Sequence, residues 1–218
     1  MKILLLGATG RTGSHILTEA LKRGYEVHAL VRDPSKVKIQ SIGLVLFTGN
    51  PENRMALAKA IEGCDAVVSA LNISRVSDFP WARLRTPVDF LENMLTHLIE
   101  LMSDEQIKRL VLTSAWGVGD SRKEIPGWFR WFIDNSNVGK AYSQHEIQEN
   151  LLRNSNLDWT AVRPVGLTNR NKIKELVVSE QGKPRPRLTI SRKHTAQFML
   201  NCLEEASYIR ATPVISEK

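Results

Sequence analysis

The sequence predicts an α/β fold, a doubly wound parallel sheet with helices on both faces. Three observations predict it. Strand-length runs such as residues 3–6 and 66–70 are apolar along their whole length, as strands buried on both faces are. Segments with helical spacing of apolar residues alternate with these runs, the rhythm of right-handed strand–helix–strand units. Glycines at positions 7, 10 and 13 follow the first run directly and open the first helical segment.

Residues 3–6 read as a buried strand. A helix over 13–23 follows, with Ile16, Leu17, Ala20 and Leu21 on one face and Gly24 as its stop. Residues 26–31 form the next strand, and a turn or short helix follows Pro34. A third strand covers 44–47. Residues 52–62 are helical, with Met55, Leu57, Ala58 and Ile61 apolar and Gly63 ending the run. Strands at 66–70, 110–113 and 159–163 alternate with helices at 88–102 and 138–153. After Arg163 the rhythm breaks. Two short strands, 176–178 and 188–190, precede a helix at 193–203. Residues 74–86 and 116–137 read as long loops, which in compact domains are often functional.

The 218 residues suit a single dinucleotide-type α/β domain covering 1–218. Loops 74–86 and 116–137, with the segment 164–218, are expected to form a substrate side outside the carboxyl ends of the strands. A hydrophobic share of 42% with 24% charged residues describes a globular chain, not a disordered one. Lys and Arg outnumber Asp and Glu by 30 to 23, giving +7 spread along the chain. The densest basic group, Lys183-Pro184-Arg185-Pro186-Arg187, is either a solvated loop or a rim attracting an anionic ligand. With no basic helix carrying interleaved aromatics, a nucleic-acid partner is not expected. Cys64 and Cys202 lie far apart among apolar residues and read as small core residues, and no metal spacing occurs. The apolar run near Met1 is too short for a signal peptide and none reaches transmembrane length, so no membrane partner and a cytoplasmic location are expected.

The glycine loop carries the chemistry. Gly7 permits a tight turn, Gly10 lets backbone approach a pyrophosphate, and Gly13 lets the helix pack closely on the strand. Thr9, Arg11 and Thr12 sit between them, and the helix N-terminus offers free N–H groups and a positive dipole to phosphates. This is a Rossmann-type arrangement with G-x-x-G-x-x-G spacing. The second strand ends at Val31-Arg32-Asp33. An acid there binds ribose hydroxyls of NAD, whereas an arginine accommodates the 2′-phosphate of NADP. Arg32 comes first and Arg11 lies in the loop, and two guanidinium groups suit a phosphate dianion. Asp33 either binds ribose or caps the turn at Pro34. NADP is therefore expected ahead of NAD.

Gly7–Gly13, the stretch Ala29–Pro34, and Gly63-Cys64-Asp65-Ala66-Val67-Val68-Ser69-Ala70 resemble the atypical short-chain dehydrogenase/reductase superfamily. So do Leu112-Thr113-Ser114-Ala115 and Leu157–Pro164, and the tail Ile190–Leu200 is similar to the same group. The resemblance is best to the NAD(P)H-binding, NmrA-like group and its flavin reductase/biliverdin reductase B branch. It implies that Asn50 and Pro51 flank the adenine and that Ala70, Leu71 and Asn72 line the cofactor ribose. It places Ser114, also a catalytic candidate, beside the nicotinamide, with Pro164 and Val165 covering its other side and Thr113 among the cofactor-binding residues.

The chain departs from the usual Tyr-x-x-x-Lys pair. Tyr142 is followed four residues later by Glu146, which disfavours a tyrosinate, and Lys140 is too close in sequence to share its helix face. His145 aligns with a polar position of the flavin reductase branch, as a proton donor or as a surface histidine. Two readings follow. One is an NADPH-dependent reductase passing hydride to a flavin, quinone or other planar conjugated acceptor, where the protein supplies orientation and an apolar pocket. Trp116, Trp128, Phe129, Trp131 and Phe132 then either stack on that acceptor or pack a small core. The other is a non-catalytic NADP sensor of the NmrA-like type with a protein partner. A nucleotide-sugar epimerase is disfavoured by the short C-terminal region.

Overall fold

The computed structural model describes residues 1–172 and 174–218. The chain runs β1 (Lys2–Leu6), α1 (Gly13–Lys22), β2 (Glu26–Val31), a 3-10 turn (Pro34–Lys36), β3 (Leu44–Thr48), α2 (Arg54–Ile61), β4 (Ala66–Ser69), α3 (Phe90–Asp104) and β5 (Arg109–Thr113). A second 3-10 turn (Gly119–Lys123), α4 (Gly127–Asp134), α5 (Val138–Arg153), β6 (Asp158–Pro164) and β7 (Gly166–Thr168) follow. β8 (Leu176–Ser179), β9 (Thr189–Ser191), α6 (Arg192–Glu204) and β10 (Val214–Glu217) complete the described elements.

Eight strands form one sheet in the order β3-β2-β1-β4-β5-β6-β10-β8. All neighbours are parallel except β10 and β8, which pair antiparallel. The order reverses between β1 and β4, so the crevice of a doubly wound sheet opens at the carboxyl ends of those two strands. Alternation along β1 explains why both its faces are apolar. Ile3 and Leu5 enter one core with Ile16 and Leu17 of α1 and Met199 and Leu200 of α6. Leu4 and Leu6 enter a second core with Leu57 of α2, Met94 and Leu98 of α3, and Leu152 of α5. Each side chain is fully withdrawn from water, and burial of one such leucine is worth roughly 1.5–3 kcal/mol.

Four features differ from the sequence expectation. The stretch 116–137 is not a loop throughout, because it holds the second 3-10 turn and α4. The segment 164–218 does not stand apart: β10 pairs with β6, and β8 continues the sheet beyond it. β10 escaped notice because it is short and ends in Ser216 and Glu217, polar residues that are nonetheless buried. Glu217 accepts hydrogen bonds from Ser191 Oγ (2.9 Å) and stands 2.9 Å from His194 Nδ1. β7 also went unread; it pairs in parallel with β9 in a separate two-stranded sheet. β3 is apolar yet half exposed, since it is the edge strand on its side.

Candidate functional site

A cleft of about 690 Å³ opens at the crevice between β1 and β4. Gly7, Thr9, Gly10, Arg11 and Thr12 form one wall. The turn that carries them is dictated by close packing. Gly7 sits at φ +85°, and Gly10 N donates to Gly7 O at 2.8 Å. A Cβ on Gly13 would lie 2.0 Å from Gly7 O, so only glycine lets α1 start there. Thr12, the N-cap of α1, makes no side-chain cap, and the first turn carries no acid. The positive end of α1 therefore faces the cleft ready for an anion.

Arg32, just past β2, also lines the cleft and has no ion-pair partner among the described residues. Asp33 turns away. Its Oδ1 accepts from Ser35 N (3.1 Å) and Ser35 Oγ (2.6 Å), capping the turn at Pro34. Those Ser35 hydrogen bonds, with Lys36 beside it, hold the Asp33 carboxyl below its ordinary value. Arg11 is engaged differently from the expectation. Its guanidinium pairs in two-pronged fashion with Asp78, at 3.1 and 3.0 Å, clasping the 74–86 hairpin across the glycine loop. The far side of that hairpin is tied to the turn between α4 and α5: Trp81 Nε1 donates to Asn135 O (2.6 Å) and Asn137 Nδ2 donates to Trp81 O (3.0 Å).

Pro51, Ala70, Leu71, Asn72, Thr113, Ser114 and Pro164 are brought to the cleft. Asn50 and Val165 are not. Asn50 instead caps its own turn by accepting from Glu52 N, and Val165 is buried against the sheet. Ser114 sits where β5 ends, its amide donating to Val162 O at 2.6 Å. Its hydroxyl donates to Glu149 Oε1 at 2.7 Å.

Sequence reasoning missed Glu149. Arg163 meets it twice, Nε to Oε1 at 2.8 Å and Nη2 to Oε2 at 2.6 Å, and Arg153 adds a contact at 3.0 Å. Arg163 also reaches Asp120 at 2.6 Å. Burial works against the Arg163 cation, but the Glu149 and Asp120 carboxylates outweigh it and hold its pKa above the ordinary value. The carboxylate and guanidinium are both almost wholly buried. Such paired buried charges are costly to break singly, about 3–5 kcal/mol, which makes this network a rigid mount for Ser114. A helix-period count that marks Glu149 on the inner face of α5 was the one available signal.

Tyr142 and His145 do not line the cleft. Tyr142 packs against Gly117 and edge-on to Phe129, ring centroids 6.4 Å apart. Burial pushes its phenol up to about 12, whereas Glu146 is exposed and plays no part. His145 is buried with Nδ1 3.1 Å from Gln148 Oε1, and burial holds it below 6.5, neutral at pH 7. The aromatic residues of 116–137 also stay off the cleft walls. Trp116 is buried, Phe129 and Phe132 stack with centroids 6.1 Å apart, and Trp128 and Trp131 face water. Lys183–Arg187 lies in a solvent-facing turn away from the cleft. Cys64 and Cys202 are free, buried thiols. Among the described residues no cluster fit for a metal occurs, and no helix is long and apolar enough to cross a membrane.

The sequence profile of the NAD(P)H-binding family matches residues 7–206. ChuY, an anaerobillin reductase of Escherichia coli, superposes with a TM-score of 0.80 at 19% identity, over 100% of this chain and 97% of that one. A short-chain dehydrogenase/reductase of Veillonella parvula in complex with NADP superposes with a TM-score of 0.75 at 19% identity, over 99% and 94% of the two chains. At these identities the likeness is one of fold. An isoflavone reductase homolog of Zea mays is 33% identical over 86 residues, 35% of this chain and 28% of its own length. The chain spans less than a third of the length of this and of several other curated relatives that it matches. The residues lining the cleft suit a dinucleotide: a glycine turn without room for a Cβ, an uncapped helix end and an arginine after β2 that has no ion-pair partner among the described residues.

Proposed function

Because the chain belongs to the NAD(P)H-binding family, with the fold of the short-chain dehydrogenase/reductases, we propose that it is an NADPH-dependent reductase whose acceptor is a planar conjugated molecule such as a flavin or quinone. Bound NADPH supplies a hydride. The glycine loop and the end of α1 hold the pyrophosphate, Arg32 holds the 2′-phosphate, and Pro51 and Ala70–Asn72 line the nucleoside walls. Ser114 and Pro164 flank the nicotinamide end. The observation that carries the reading is the absence of an acid–base pair among the described residues lining the cleft. Tyr142 and His145 are withdrawn, and the Ser114 proton is committed to Glu149. Ser114 Oγ therefore offers lone pairs rather than a proton, which suits it to orient an amide or ring N–H. Hydride transfer to a conjugated ring asks the protein for that kind of positioning, and solvent supplies the proton.

NADP is preferred to NAD because Arg32 is unpaired while Asp33 is spent on the Ser35 cap. A screen of NADPH oxidation over flavins, quinones and simple carbonyls tests the reading. Turnover is expected with the conjugated acceptors and not with the simple ketones. A sensor is the second reading, favoured by the exposed aromatic rings of Phe79, Trp81, Trp128 and Trp131 around the clasped hairpin, a surface that suits a protein partner. Tight NADPH binding without oxidation of any acceptor moves the assignment to it.

A further inference from the structure

The cleft is strongly one-signed. Arg11, Arg32, Arg75, Arg85 and Arg192 line it, and Asp78 is the only acid on its described walls, already bonded to Arg11. Arg11 and Arg32 flank the glycine loop and the end of β2, where a dinucleotide's phosphates lie. Arg75 and Arg85 belong to neither place. They stand at the base of the 74–86 hairpin, which grows from the end of β4 on the way to α3.

That base is rigid. Arg85 N donates to Ser74 O at 2.8 Å, and Ser74 N donates to Thr86 Oγ1 at 3.0 Å. Neither arginine has a carboxylate partner among the described residues. Arg85 Nη2 makes only a long contact to Val76 O, 3.3 Å. Both arginines line the cleft with no carboxylate to neutralise them, so their charge is available to an anion from outside the chain. Ile73 and Phe90, both buried, line the cleft beside them and offer apolar contact to a ring.

We propose that Arg75 and Arg85 form an anion subsite at the acceptor end of the cleft, so that the planar acceptor carries a carboxylate. The guanidinium fork matches a carboxylate in shape. The ring then lies over Ile73 and Phe90 with its charge anchored to the hairpin. This inference rests on the reductase reading for the word acceptor, but the subsite itself is tested by binding alone.

The test is calorimetric titration of the protein saturated with NADP+, using anthraquinone-2-carboxylate and its neutral carboxamide, two ligands with one ring system. The carboxylate is expected to bind about tenfold or more tighter than the amide. In the folded variants Arg75→Gln and Arg85→Gln that preference is expected to fall towards one. Equal binding of the two ligands by the wild type overturns the subsite and needs no variant. A loss that falls on NADP+ affinity in both variants also overturns it, by assigning the arginines to the cofactor. Failure of the reductase reading is a different result, namely no NADPH oxidation by any acceptor while the carboxylate preference persists.

Discussion

Arg32→Ala is expected to weaken NADPH binding by tens- to hundredfold and NADH binding little, the loss of charge-assisted hydrogen bonds worth about 2–3 kcal/mol. Fluorescence titration of the two cofactors checks this, and equal weakening refutes it. The position of Arg32 was legible because it follows the second strand. The fate of Asp33 was legible only as one of two alternatives, and the Ser35 hydrogen bonds decide it. At the acceptor end, Tyr142→Phe is expected to lower kcat less than tenfold, below the usual acid–base contribution of about a hundredfold or more, because the phenol is off the cleft. Ser114→Ala should lower it more, since it removes the one hydroxyl mounted on Glu149 at the nicotinamide end. A collapse in Tyr142→Phe with Ser114→Ala near normal contradicts this assignment. Helix period could mark Glu149 as inward-facing, but not its role, which depends on residues 114, 120 and 163 that only the fold brings together. His145 was misread because a polar residue on a mostly polar helix looks exposed, yet it faces inward. Its folded pKa is depressed by burial, so its neutral form contributes stability that is complete above 6.5 and is lost as pH falls below that value. Thermal melts between about pH 7 and pH 5 should therefore show a smaller fall in Tm for a folded His145→Gln variant than for the wild type.

The glycine turn, α1 and the two clasped segments act as elements. Gly10→Val is expected to abolish NADPH binding while the fold persists. A Cβ there meets only Gly7 O, at 3.1 Å, so the backbone gives by tenths of an ångström, but the branches point where the pyrophosphate passes. Unchanged NADPH affinity in a folded Gly10→Val variant contradicts the assignment of this loop. The turn was legible from a strand, three spaced glycines and a helix in direct succession. α5 was legible to the residue, 138–153 in both readings, because a long helix leaves a long pattern. α4 was not, since it is only eight residues long and lacks an acidic or hydroxyl cap, Pro126 preceding it instead. The hydrogen bonds from 81 to 135 and from 137 to 81 join two loops read separately, which no local pattern signals.

At the scale of the whole molecule, the doubly wound sheet was legible because its central strands are apolar on both faces and joined by helices of ordinary length. The last central strand was not. β10 reaches β6 only after a connection of some fifty residues, and half of it is polar. The chain carries a surplus of positive charge, +7 in all, and among the described residues lining the cleft five arginines oppose a single aspartate. Attraction of that kind raises the encounter rate of an anionic cofactor and weakens with salt. The central claim is that this cleft holds NADPH through an uncapped helix end and an unpaired arginine. The direct measurement is a titration of the wild-type protein with NADPH and with NADH, following nicotinamide fluorescence. Saturable binding of one NADPH per chain, about tenfold or more tighter than NADH, is the predicted result. No saturable binding, or NADH bound as tightly as NADPH, would contradict the account.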